Sequence, residues 1–248
     1  MALLMNHFIP GMLIALSLLF SSPAIAGELA GHIDAIMGEV HLTRGDIEIP
    51  VALQAGVEVG DHVSTGKTSR VRIVFNDGSS MQLGQHAEAV IDNYATGASD
   101  GALDALISLI EGRGRFIVEK LKNKDAKYRI RTRAVLIGVR GTDILAQANN
   151  YISHVALAEG HIQLSRPGAA AEVALNKGQY LLVVGKWPPA PQAIPEQWLN
   201  DFINDVGTSD AGARKKKGGS GSGDISVPTD AIQQKMLNQM GSPMVVPQ

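Results

Sequence analysis

The residues with the widest chemical range in this chain are its histidines, because imidazole can ligate metal and move protons near neutral pH. Beyond the N-terminal segment they are His32, His41, His62, His86, His154 and His161. His154 and His161 flank a turn and could approach one another, yet the spacing of the set matches no metal-ligand pattern. They read as separate histidines on exposed strand faces. There is no cysteine, which excludes disulfides, thiolate metal sites, thiol nucleophiles and a lipid-modified N-terminal cysteine. No nucleophile-elbow, zincin or phosphate-loop motif occurs anywhere. Asp77 sits beside Gly78 and Ser79 and reads as a turn former, since aspartate and glycine both suit tight turns. In Arg140-Gly141-Thr142 the glycine supplies a tight backbone turn and the threonine is expected to bond locally to it. Glu111 and Glu159 each precede a turn glycine, Gly112 and Gly160. No catalytic residue, cofactor or metal site is assigned, and the chain is read as non-catalytic.

The elements that carry these residues are strands. Gly38–Gly56 and Gly160–Gly178 are versions of one unit, with identities at Gly38/Gly160, Leu42/Leu164, Arg44/Arg166, Val51/Val173, Ala52/Ala174, Leu53/Leu175 and Gly56/Gly178. An alternating apolar run, a turn and a second apolar run make a hairpin-sized block, and its double use implies an all-β body built from similar layers. The clearest element spans Ser69–Leu83. There Val71, Ile73 and Phe75 alternate with their neighbours, Asp77-Gly78-Ser79 turns, and Met81 and Leu83 resume the period of two. Further strands are expected at 31–42, 57–63, 89–94, 106–110, 115–119, 128–132, 135–139, 143–148, 154–158, 161–165 and 179–184. Leu42 and Leu164, at matching positions, should both face the core.

From Thr68 to Ser165 the order of motifs resembles the periplasmic domain of FecR-type regulators. The features are Thr68–Phe75 with Asp77-Gly78-Ser79, then Leu83 and Val90, Ile107–Gly112, Phe116, Arg131-Thr132, Ala134, Val139-Arg140-Gly141-Thr142, and Val155–Leu164 around Glu159-Gly160. The family usually places an aromatic two residues after the Gly-Thr pair, where this chain has Ile144. The resemblance implies a twisted all-β stack, solenoid-like or sandwich-like. It also implies a role in signalling. FecR regulators carry a cytoplasmic anti-sigma segment and a membrane helix ahead of this domain. Here only an apolar segment precedes it, so a stand-alone module detached from sigma-factor control is expected.

Residues 1–26 read as a signal peptide: an apolar run over Phe8–Phe20, then Ala24-Ile25-Ala26 as a small-x-small cleavage site. The run is shorter than the about 20 apolar residues that span a bilayer, and no later segment is longer. The mature chain is therefore expected to be periplasmic or secreted, without a transmembrane segment. A formal net charge of −2 offers no reason to expect nucleic acid. The body runs over 27–185, followed by a Pro-rich exit and a short amphipathic helix over 186–207. Solenoid ends need covers, so the helix is expected to close one open end of the stack. Its polar residues Asn200, Asp201, Asn204 and Asp205 fall on the face opposite Trp198, Leu199, Phe202, Ile203 and Val206. Residues 208–248, with Arg214–Lys217 and a Gly/Ser run, read as a flexible tail bearing a second apolar patch at Thr229–Met240. The whole reads as an exported interaction or signalling module for an envelope receptor or surface complex. The alternative is a binder of a periplasmic small molecule or glycan. Against that alternative stands an aromatic content of 4%.

Overall fold

The computed structural model describes residues 27–96, 102–120, 123–166, 168–184 and 187–207. The expected signal peptide and the expected flexible tail, with its Thr229–Met240 patch, lie outside the described residues. The chain opens with β1 (Leu29–Met37), β2 (Val40–Arg44), β3 (Ile47–Ile49) and β4 (Gly56–Glu58). The middle holds β5 (Asp61–Thr65), β6 (Arg70–Phe75), β7 (Ser80–Leu83), β8 (Glu88–Thr96), β9 (Leu103–Val118), β10 (Lys127–Arg131), β11 (Leu136–Val139) and β12 (Thr142–Ala148). The last part holds β13 (Ser153–Glu159), β14 (His161–Ser165), β15 (Val173–Asn176), β16 (Gln179–Val183), β17 (Gln192–Ala193) and α1 (Glu196–Val206).

Pairing sorts the strands into two layers. One runs β4-β1-β6-β7-β9-β12-β13-β16-β17. The other runs β3-β2-β5-β8-β9-β10-β11-β14-β15. All these pairs are antiparallel except β9 with β10, which is parallel. Period-two alternation puts one face of each layer inward, and a single apolar core containing Ile73, Met81, Ile91, Ile107, Phe116 and Ile144 fills the space between. Leu42 and Leu164 are both buried in it, as their matching positions imply.

β9 belongs to both layers. Its first half lies between β8 and β10, its second between β7 and β12. The sequence pattern reads two strands here, 106–110 and 115–119, separated by glycines; the chain instead passes through as one strand bent at Gly112. That residue has φ +84°, and a Cβ on it would lie 2.5 Å from the Ala87 Cα. Glycine alone fits a corner of that shape.

The duplicated units occupy opposite ends of the stack: Gly38–Gly56 carries β2 and β3 at one, Gly160–Gly178 carries β14 and β15 at the other. Each crosses between layers at its first glycine, Gly38 or Gly160, both with positive φ. The copies then diverge. In the first, a tight turn after Arg44 pairs Leu42 with Ile49, and Pro50, which has no N–H to offer a ladder, ends the strand. Val51-Ala52-Leu53 is left outside the sheet with Leu53 exposed. In the second, a longer loop delays pairing, so Val173-Ala174-Leu175 forms β15 and Leu175 is fully buried.

The helix does not close an end of the stack. It lies on the outer face of the first layer, where Leu199, Phe202, Ile203 and Val206 cover Leu145, Ala156 and Tyr180. Those three side chains point away from the main core on β12, β13 and β16, and the apolar face of α1 removes them from water. Arg70 fixes the C-terminal end by donating to the carbonyls of Asn204, at 2.6 Å, and Asp205, a use of arginine that suits unpaired terminal carbonyls.

Candidate functional site

The motif residues singled out in the sequence are largely brought together. At the β6–β7 turn Gly78 takes φ +89°. Asp77 accepts from the Ser79 N–H at 3.1 Å, the Ser79 hydroxyl at 2.6 Å and the Tyr94 hydroxyl at 2.9 Å. Tyr94 stacks on Phe75 with ring centroids 5.6 Å apart. Ser79 Oγ in turn accepts from the Glu119 N–H at 3.0 Å, tying the turn to the end of β9. Beside Glu119, Lys120 meets Gly141, whose added Cβ would stand 3.1 Å from the Lys120 Cβ; Gly160 packs on Thr142 and the Gly141 carbonyl, at 2.6 and 2.8 Å from its own added Cβ. The set Asp77, Gly78, Ser79, Gly141, Thr142 and Gly160 therefore clamps backbone segments of several strands against each other. Its carboxylate is occupied by three donors, which suits a structural lock and not proton transfer.

One of the expected interactions is not made. The Thr142 hydroxyl is buried and finds no hydrogen-bond partner among the described residues, so it does not brace the Gly141 turn. Arg140 and Glu159 lie on the surface of this end, and Glu159 faces Asp143 in the β12–β13 register. Gly112 is elsewhere, at the β9 corner. The buried hydroxyl of Tyr128 also lacks a partner among the described residues; burial, then Asp77 and Tyr94, push its pKa well up. Burial and Asp77 likewise raise that of Tyr94.

Gly112 lines an open polar cleft of about 580 Å³ between α1, the β9 corner and the ends of β7 and β12. The helical pattern puts Asp205 on the polar face of the helix. In the structure its carboxylate accepts from the Gln85 N–H at 2.9 Å and from Arg113 at 3.1 Å. Gly84, with no Cβ, leaves it room. Arg113 also donates to the Asp201 carbonyl and to Gln147. Two of the cleft's charged groups, Arg113 and Asp205, are thus engaged in docking the helix. Asp61, which no local pattern marks in the sequence, is a fully buried charge held by Arg44.

His154 and His161 do not meet. His161 lies on β14 and bonds to Asn176 at 2.9 Å. His154 lies on β13, half-buried beneath α1, bonded to the Tyr180 hydroxyl and stacked on Trp198 with centroids 6.0 Å apart. It is therefore a packing residue, not a surface one. Burial, and then Arg113, hold its pKa below 6.5. The unfolded chain takes up the proton more readily than the folded one, so stability present above pH 6.5 is lost as pH falls through the lowered value. Urea unfolding at neutral pH and near pH 5 should show that loss, and His154→Gln should reduce it; an unchanged pH dependence in the variant rules the role out.

An open two-layered β-stack locked at one end by turn glycines and Asp77 defines a scaffold whose exposed parts are faces and edges. Residues 61–163 match the family model described as FecR protein, and the chain contains a FecR-type domain. The matched span runs from β5 into β14 and includes the Asp77–Gly160 cluster, while β1–β4 lie outside it. Two crystal structures of a candidate anti-sigma factor from Parabacteroides distasonis ATCC 8503 are similar to the chain over 57% of its length, at 17% identity and a TM-score of 0.46. The likeness covers 63% and 64% of those chains, less than two thirds of their length. No curated protein matches the chain significantly.

Proposed function

We propose that the chain is an exported, non-catalytic interaction module of a signalling system, binding a protein partner in the periplasm or at the cell surface through a sheet edge. The FecR-type domain supports a regulatory role in the cell envelope. No helix among the described residues is long and apolar enough to cross a membrane. The observation that carries the reading is that, among the described residues, the layers end in strands paired on one side only, β3 and β4 at one end and β15 and the two-residue β17 at the other. Free edges present unpaired amides and carbonyls that an extended segment can complete. On β15 the Asn176 N–H turns away from β14 to the Gln179 side chain at 2.7 Å, and strand alternation puts the Ala174 N–H on that same open side. On β3 a two-residue turn closes on the Arg44–Ile47 pair, so alternation turns the Glu48 N–H outward.

A partner captured from a native envelope extract and purified should lose binding to Glu48→Pro or to Ala174→Pro, since proline removes one outward donor and leaves the inner ladder intact. The second reading, a small-molecule or glycan binder, rests on the polar cleft at the β9 corner. It takes precedence if neither proline matters and a small ligand raises the melting temperature with the logarithm of its concentration.

A further inference from the structure

We infer that the docking edge is β3, and that its partner is an extended protein segment in which basic and apolar residues alternate. This rests on the edge-binding reading above and adds the site and the chemistry of the segment. The end built from the first unit differs from the other end in charge. From Gly27 to Gly66 the sole lysine or arginine is Arg44, among seven carboxylates. Arg44 is committed to Asp61 and Glu58, and Asp34 lies 3.6 Å from Arg72. Glu28, Glu39, Asp46 and Glu48 remain at the surface, Glu39 and Glu48 sharing His41 at 3.1 and 2.9 Å. Around β15 the charges balance, Glu159 and Glu172 against Arg166 and Lys177.

The same end also exposes large apolar side chains: Ile47 is 67% exposed, Leu53 63% and Leu29 52%. Leu53 is the counterpart of Leu175, which the second copy buries. An added strand on β3 would take its donors and acceptors from the outward Glu48 backbone. Its apolar side chains would meet Ile47 and its basic ones Asp46 and Glu48, by the cross-strand pairing that stabilises any sheet. A second copy of this end fits poorly, because pairing β3 with itself sets Asp46 and Glu48 against like charges, a common guard on edge strands. The unit lies outside the FecR-matched span.

The test uses the full chain and an acetylated, amidated peptide of sequence Lys-Val-Lys-Val-Lys-Val-Lys, followed by calorimetry at low salt. Binding should weaken about tenfold in the Asp46→Lys/Glu48→Lys variant, weaken steeply with added salt, and persist in Ala174→Pro. The glutamate version of the peptide should not bind. Thermal melting of the charge variant should match the parent, which separates lost binding from lost folding. Loss of binding in Ala174→Pro with none in the charge variant overturns β3 as the site and leaves edge binding standing. No binding by the full chain overturns the inference, whether the edge is filled by its own Arg214–Lys217, revealed by binding only after removal of 208–248, or by a second copy, revealed by concentration-dependent dimerisation.

Discussion

Gly112→Ala should lower the melting temperature by about 10 °C or more, the loss expected for about 4 kcal/mol in a chain of this size. Two costs combine. At φ +84° any L-residue is disfavoured, by about 1–2 kcal/mol. The added methyl would also stand 2.5 Å from the Ala87 Cα and 2.7 Å from the His86 carbonyl oxygen. These are backbone atoms next to the Glu88–Glu111 pairing, so relief requires moving β8 against β9. Because β9 serves both layers, the displacement reaches both. Gly138→Ala is the control: its nearest neighbour would be 3.8 Å away, and its melting temperature should stay close to the parent's. Thermal circular dichroism of both variants decides the matter, and a Gly112→Ala chain melting within a few degrees of the parent would show that the corner can yield.

The second large effect is expected at Arg44. Its guanidinium donates to both oxygens of Asp61, at 2.7 and 2.9 Å, and reaches Glu58 at 2.7 Å. Asp61 also accepts from the Glu58 N–H at 2.7 Å. Arg44→Met strands a fully buried carboxylate with that one donor, and breaking such a pair costs about 3–5 kcal/mol. Adding Asp61→Asn should restore most of the loss, because the amide oxygen still takes the Glu58 N–H and no charge is left buried. Denaturant unfolding of the single and double variants measures this; a double variant no more stable than the single would show that arginine acts by packing alone.

Much of the strand content was legible because it is local. Alternation at Val71, Ile73 and Phe75 assigns one face to the core whatever the partner strand, and Asp77-Gly78-Ser79 makes its own turn. The equivalence of Leu42 and Leu164 was likewise legible, since each sits at the same place in the same unit. The bend in β9 was not. A glycine that stops a strand and one that turns it through a corner read alike, and only the approach of Ala87 distinguishes Gly112. Val-Ala-Leu occurs in both units and forms a strand in one alone, because Pro50 ends the first ladder early and the longer second loop does not.

The candidate site divides the same way. The sequence by itself determined an all-β body, the turn residues that lock one of its ends, and the imbalance of charge in the first unit, because period, turn chemistry and charge are properties of neighbours along the chain. The tertiary structure alone decided that Asp205 leaves its polar helix face to hold Arg113 and the Gln85 N–H, that His154 lies under Trp198, and that α1 covers a sheet face instead of an end. It also decided which strands are left as edges. Each of these depends on segments distant in the chain that meet only when the two layers close on a common core, and burial of that core sets which groups must find partners and which remain free.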